Sequence, residues 1–320
     1  MRSFPMELKN EQISIAKMIE ENKRKNKFKQ GLAEKSVPVF LFLMAIISIL
    51  TTIGIVATLL FETFTFFSRV DFIHFITSKE WLPFFEADPK YGIISLISGT
   101  LLVALIAVIV AFPLGLAAAI YLSEYASERA RKVIKPILEV LAGIPTIVYG
   151  FFALTFVTPV LQKIIPDLNF FNALSPGIVV GIMIIPSIAS LSEDAMSAVP
   201  RSMREGALAL GSTKLEVSLK VVLPAALSGI IASFVLGLSR AIGETMIVTI
   251  AGGAKPNLTF DPTETIQTMT AYIVQVSLGD AAYGSTIYYS IYAVGMTLFV
   301  FTLIMNLIAQ WISRRFREEY

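Results

Sequence analysis

The chain has 320 residues, 55% of them hydrophobic and 16% charged, with a formal net charge of +2, a single histidine and no cysteine. So apolar a composition excludes a soluble domain whose charged surface meets water, and a near-even charge balance spread among loops gives no nucleic-acid patch. Without cysteine there is no disulfide, thiolate chemistry or Cys-ligated metal, and His74 alone is too little for a His-based metal or acid–base site.

In chain order, residues 1–36 form a polar, basic N-terminal segment ending in the run KRKNKFK from Lys23, a lipid-headgroup-facing flank. No cleavable signal peptide is apparent, because the first apolar run, 37–61, carries no charge and exceeds the ~20 residues a span requires. A polar interval, 62–91, holds the aromatic-rich SKEWLPFFEADPK, suited to a membrane interface through Trp81, Phe84 and Phe85. The second span, 92–122, is expected to bend at Pro113 and leads to the loop SEYASERARKVIK. The third, 136–161, contains GIPTIVYG, where Pro145 removes a backbone donor and frees a carbonyl near mid-segment. The fourth, 176–192, is expected to be interrupted at Pro186 and to stop where Glu193 and Asp194 follow. A polar loop, 193–223, precedes the fifth span, 225–251. Then come a polar interval to residue 285, with a short interfacial helix expected in TIQTMTAYIVQVSLGD, the sixth span, 286–312, and a basic tail, 313–320. The fold class is all-α, a polytopic bundle of six transmembrane helices, with the core at 92–312 supplying five of them.

Orientation follows from lysine and arginine counts in alternate loops, since cytoplasmic loops hold the excess. Of the 26, twenty lie before the first span, after the second and fourth, and in the tail, whereas five lie on the other side. Both termini and the 193–223 loop are therefore expected in the cytoplasm, and 62–91 outside. The remaining residue is Arg240, inside the fifth span.

That span, AALSGIIASFVLGLSRAIGETMIVTIA, holds Arg240 and Glu244 where a charge at a helix centre costs roughly 2.5–3.5 kcal/mol on insertion scales. In a continuous helix Gly229, Ser233, Gly237, Arg240 and Glu244 share an arc of about 80°. Lipid satisfies neither charge, so the stripe is expected to face a polar passage or another helix. At i and i+4, Arg240 and Glu244 can pair and simply lock the helix to a neighbour. Alternatively, the planar fork of Arg240 meets the oxygens of a passing anion and Glu244 accepts a hydrogen bond from a P–OH, which phosphate offers and sulfate lacks. Thr146 and Ser187, each beside a proline, and Thr245 are lesser candidates for lining the path. Gly229, Ser233 and Gly237 also form a small-xxx-small stripe, usually a helix contact surface.

In the 193–223 loop, Ser202 stands three residues before Glu205 and Thr213 three before Glu216, so two capping boxes are expected to start two short helices with Gly211 as the stop between them. Such an elbow suits docking into a partner's groove. The residues Glu205-Gly206-Ala207, Gly211, Val221 and Leu223-Pro224 resemble the EAA loop of ABC importer permeases, with Gly206 in place of Ala and Val221 in place of Ile. The segments EWLP, YGIISLISGTLL, AIYLSEYA, GIPTIVYG, MIIPSIA and LSRAIGETMIVT resemble permease subunits of Pst-type phosphate importers, PstC more than PstA. This resemblance implies a MetI-like type I importer fold and, as partners, the phosphate ion, a homologous second permease subunit of PstA type, a cytosolic ATPase dimer of PstB type docked on the elbow, an external phosphate-binding protein of PstS type, and membrane lipid. It implies no cofactor, metal, nucleic acid or catalysis by this chain. GALALGST from Gly206 mimics a phosphate-binding P-loop but has Ser212 where lysine is required, and no strand precedes it. Rival readings are a permease for sulfate or molybdate, a secondary transporter or channel working without ATP, and a membrane scaffold.

Overall fold

The computed structural model describes residues 6–85 and 87–315, with the side chains of 6–35, 280, 314 and 315 excepted. The chain divides into two units, residues 1–58 and 59–320. The first is the bulk of α1 (Met6–Phe67), a helix of 62 residues that continues past the expected boundary at residue 61. Its apolar part from Ser36 onward is long enough to cross a membrane, and Val39, Phe42 and Ile53 lie exposed, as lipid-facing side chains do.

The second unit is built on helices. After α2 (Phe72–Thr77) a two-residue hairpin pairs β1 (Trp81–Leu82) with β2 (Lys90–Tyr91), antiparallel, placing Trp81 opposite Tyr91. α3 (Ile94–Ile120) runs on into a π-helical turn at Tyr121–Tyr125, unbroken at Pro113. α4 (Glu128–Ala142) and α5 (Thr146–Phe152) meet at 86° across Gly143–Pro145. Here the missing donor of Pro145 does break the span, and Pro145 itself caps α5. A π turn (Ala153–Val157) and α6 (Thr158–Gln162) complete that element. α7 (Leu174–Ser197) passes through Pro186 as one helix and continues beyond the expected stop at residue 192.

The elbow follows as α8 (Arg201–Ala209) and α9 (Lys214–Val217), then a π turn (Ser218–Val222) and α10 (Leu223–Ala225), which meets α11 (Leu227–Ile242) at 72°. α12 (Met246–Ala251), α13 (Met269–Gln275), a π turn to Asp280 and α14 (Thr286–Arg315) complete the described elements. Among the described residues four helices are long and apolar enough to span a membrane, up to six if each bent pair counts as one span.

Small residues let the central helices approach. On α7, Gly181 comes so near α3 that an added methyl group would stand 2.9 Å from the Ala107 carbonyl oxygen. Around this contact Ala107, Val180, Ile184 and Ile188 are sealed from solvent. At the hairpin end a second core gathers aromatic rings edge to face: Trp81 meets Tyr91 at 5.8 Å and Tyr272 at 4.9 Å, and Phe66 meets Phe75 at 5.7 Å. α13, expected at the interface, is instead core, with Met269, Ala271 and Tyr272 buried. The non-helical run before it also dips inside, at Ile266 and Gln267. There the Ile266 N–H donates to the Gly252 carbonyl at 3.1 Å, and at the start of α13 the Met269 N–H donates to the Thr100 hydroxyl at 3.1 Å.

Candidate functional site

The charged helix is not continuous. Gly243 caps α11, and the chain turns through Glu244 and Thr245 before α12 starts. Arg240 therefore sits in the last turn of α11, where a cation meets the negative end of the helix dipole. Glu244 lies in the turn beyond. Its Oε1 accepts the backbone N–H groups of Met246 (3.0 Å) and Ile247 (3.2 Å), two of the donors left open at the start of α12. The break corrects the expectation of one helical face: no Arg240–Glu244 ion pair forms among the described residues. Arg240 and Glu244 stand on either side of Gly243 and require partners that a lipid-facing helix would lack, and breaking the helix there supplies them for the carboxylate from the backbone itself.

The two charges differ in surroundings. Glu244 is only 8% exposed, and its Oε2 makes no hydrogen bond among the described residues. Arg240 is exposed, and its Nη1 donates to the Ser187 hydroxyl at 3.1 Å. The structure thus brings Ser187, beside Pro186 on α7, onto Arg240. Ser187 also lines a cleft of about 280 Å³ that Lys135 and Glu139 of α4 share. Thr245 turns its hydroxyl onto the Gly243 carbonyl at 3.2 Å, mending the helix end. Thr146 opens α5 directly after the Pro145 break, and α5 packs on α12, where Gly150 lies against Ile250 and the Met246 carbonyl.

Ser233 is a correction. It is 2% exposed and joined to Ser192 of α7 by a 2.7 Å hydroxyl pair, between Gly229 against Ala195 and Gly237 against Ile188. The small-residue stripe is therefore a seam between α11 and α7, and Ser233 lines no passage within this chain.

Next to Ser192 on α7, Glu193 is 1% exposed, with the Lys135 ammonium against Oε2, the Arg131 Nε 3.7 Å from Oε1 and the Ser197 hydroxyl donating to Oε1 at 3.1 Å. Sequence reasoning took Glu193 as the end of a span. The signal that could have found it is the pair Arg131 and Lys135, one helical turn apart on an amphipathic α4.

The elbow is built by local rules. Thr213 and Glu216 form the expected reciprocal capping box, the Thr213 N–H donating to Glu216 at 3.0 Å and the Glu216 N–H to the Thr213 hydroxyl at 3.3 Å. The Ser202–Glu205 box does not form: α8 starts at Arg201 behind Pro200, which leaves Ser202 inside the first turn rather than at the cap. Gly211 stops α8 at φ +89°, with its N–H on the Leu208 carbonyl (3.0 Å) and the Ser212 N–H on the Ala207 carbonyl (3.1 Å), the paired bonds of a Schellman motif. Glu205 and Gly206 lie exposed on α8, and Leu223 and Pro224 form the turn into α11. Arg204 fastens the elbow to the bundle, donating to the Val199 and Met196 carbonyls at 2.6 and 2.7 Å and to Glu124 at 3.1 Å.

Lipid-length helices broken at charged and proline positions, with a rigid polar elbow hung between two of them, define a membrane permease component. The profile described as "Binding-protein-dependent transport system inner membrane component" matches residues 111–318. The chain belongs to that family. It is 37% identical over 243 residues to "Probable ABC transporter permease protein YqgH" of Bacillus subtilis, covering 76% of this chain and 78% of that one. It is 35% identical over 263 residues to "Phosphate transport system permease protein PstC" of Mesorhizobium japonicum, covering 75% and 78%. Among solved structures, a bacterial ABC transporter involved in import of the acidic polysaccharide alginate shares the fold at TM-score 0.63 and 20% identity, over 86% of this chain and 95% of that chain. The MetNI methionine ABC transporter does so at TM-score 0.52 and 17% identity, over 71% and 95%. The all-α type I importer permease fold expected from the sequence is thus the fold observed.

Proposed function

We propose that the chain is a permease subunit of an ATP-driven importer of inorganic phosphate, and that the anion passes the helix break at Gly243–Thr245. The observation that carries this reading is the state of the two charges there. Among the described residues Arg240 makes one hydrogen bond, to a neutral hydroxyl, and is exposed, whereas Glu244 is held by two backbone amides with one oxygen left over. Phosphate near neutral pH supplies what each lacks, oxygens for the arginine fork and a P–OH for the carboxylate. Sulfate, with no proton, would meet Glu244 as a repulsion. Names of relatives such as the Mesorhizobium PstC support phosphate over sulfate or molybdate.

In this reading both termini and the elbow face the cytoplasm. Residues 193–223 couple to an ATPase dimer through Glu205, Gly206, Ala207 and Gly211. A second, homologous permease subunit completes the path, and an external binding protein delivers the ion. The site in the membrane is weak, because an ion that binds tightly does not leave. From Arg240 the route continues by way of Ser187 into the cleft between α4 and α7, where Lys135 stands midway along α4.

The test is uptake of labelled phosphate by cells in which this chain carries Arg240→Gln or Glu244→Gln and still assembles with its partners. Both substitutions are expected to lower uptake at least about tenfold, the loss of one charge-assisted contact to the anion. Unchanged uptake in both overturns the passage, and an equal gain of sulfate uptake when the binding protein alone is exchanged overturns the selectivity.

A further inference from the structure

Behind the elbow lies a cavity of about 400 Å³ that the passage does not use. Four cations line it, Arg131 from α4, Arg201 and Arg204 from α8 and Lys214 from α9, together with the carboxylates Glu124 and Glu205. Two of the cations are pinned in place by backbone carbonyls. Arg204 uses Nη1 on the Val199 carbonyl and Nη2 on the Met196 carbonyl and Glu124. Arg131 uses Nε and Nη2 on the Leu122 and Ser123 carbonyls. A guanidinium carries five N–H donors, so about two remain on each, on groups whose orientation is already fixed. Lys214 touches the Tyr125 ring at 5.0 Å, and Arg201 has no hydrogen-bond or ion-pair partner among the described residues.

This arrangement differs from a solvated charged face. Among the described residues Glu124 is the one carboxylate on the cavity wall that pairs with a lining cation and Arg131 also lies 3.7 Å from Glu193 outside it, whereas Arg201 and Lys214 have no anion to meet. We propose that the cavity is a binding site for a phosphate group, either free inorganic phosphate or the headgroup phosphate of an anionic lipid. Planar guanidinium forks with fixed donors match the oxygens of a tetrahedral anion, and Lys214 adds a mobile point charge. Glu205 at the same wall accepts a hydrogen bond from the P–OH of a monohydrogen phosphate, so sulfate binds less well. Basic pockets at a helix end beside the bilayer also suit lipid headgroups, and the experiment separates the two sources.

Occupancy has a mechanical consequence. Arg131 and Glu124 belong to the bundle and Arg201, Arg204 and Lys214 to the elbow, so a bound phosphate ties one to the other and damps elbow movement. The site is separate from Arg240, and its test is run in an Arg240→Gln, Glu244→Gln background so that binding at the passage does not contribute.

The full chain, reconstituted in phosphatidylcholine vesicles, is titrated with inorganic phosphate or with sulfate at equal ionic strength, and amide hydrogen exchange is read across residues 201–217. Phosphate is expected to slow that exchange saturably, sulfate to do so about tenfold less effectively, and Arg201→Ala with Lys214→Ala to abolish the effect, while Arg201→Lys with Lys214→Arg restores part of it. In a second arm, vesicles of phosphatidylglycerol without added phosphate are used. Slow exchange there, lost in the double alanine variant and insensitive to further phosphate, assigns the site to the lipid headgroup. An equal response to sulfate and phosphate, an unchanged response in the double alanine variant, or no response in either arm overturns the proposal.

Discussion

At Glu244 the roles of charge and cap are separable. The amide oxygen of glutamine still accepts the Met246 and Ile247 N–H groups that Oε1 holds at 3.0 and 3.2 Å, so Glu244→Gln keeps the turn, whereas Glu244→Ala removes the cap and is expected to cost about 1 kcal/mol. Denaturation midpoints of the purified chain are therefore expected to fall for alanine and hold for glutamine, while phosphate uptake falls for both. If glutamine leaves uptake intact, the carboxylate is a cap and nothing more. Glu193 obeys a different balance. It is 1% exposed with Lys135 and Arg131 against it, and breaking a buried pair on one side typically costs 3–5 kcal/mol because the partner charge stays buried. Lys135→Met is thus expected to destabilise by about that amount less the relief from Arg131, and Lys135→Met with Glu193→Met to recover most of it, measured as the same midpoints. Sequence pattern alone identified Arg240 and Glu244, because two charges inside an apolar run are conspicuous. It missed Glu193, whose neighbour Asp194 made it look like the edge of a span, and its partners are some sixty residues away in the chain.

Elements were legible where their physics is local. The long apolar runs, the Thr213–Glu216 box and the Gly211 stop depend on residues within one turn of each other. The breaks were not, since Pro145 bends its segment by 86° while Pro113 and Pro186 are absorbed in unbroken helices, and only the neighbours decide which carbonyls find partners. The elbow makes two opposite glycine predictions. Gly211 has φ +89° and open space around it, so Gly211→Ala is resisted by conformation alone, at roughly 1–2 kcal/mol, and is expected to speed amide exchange through α8 and α9. Gly206 also has open space but lies inside α8, so Gly206→Ala, which completes the motif's first alanine, is expected to slow exchange in α8 and to leave uptake unharmed. The elbow should also loosen in acid. The Thr213 backbone N–H, then Lys220, hold the Glu216 carboxyl down at about 2 from an ordinary 4.5. A depressed carboxylate stabilises above its unfolded value and loses that contribution as pH falls through the folded one, so after correction for intrinsic exchange rates the protection of the Glu216 amide is expected to decline between 4.5 and about 2, and Glu216→Gln to remove that dependence.

For the whole molecule, direction is what a label can test: which end of the bundle meets the proposed ATPase. In the proposed six-span topology twenty of the 26 lysines and arginines fall on one side, and that bias predicts a cytoplasmic elbow because positively charged loops resist translocation. Since the chain has no cysteine, any introduced thiol is the only one, and a membrane-impermeant maleimide reports its side without background. Leu210 at the tip of the elbow is 90% exposed and Phe260 in the loop before α13 is 80% exposed, so neither substitution disturbs a core. Leu210→Cys is expected to label only in inverted membrane vesicles, and Phe260→Cys only in right-side-out vesicles. Labelling of both thiols from the same face would undo the six-span reading, because the two positions are separated by α11, a helix that must then fail to cross. Adding the ATPase subunit to inverted vesicles is expected to protect Leu210→Cys and leave Phe260→Cys unchanged in its own assay. Protection of that kind follows only if the tip enters a groove on the ATPase, and its absence with ATP-driven uptake intact would move the docking surface off the elbow, along with the roles given to Glu205 and Gly211.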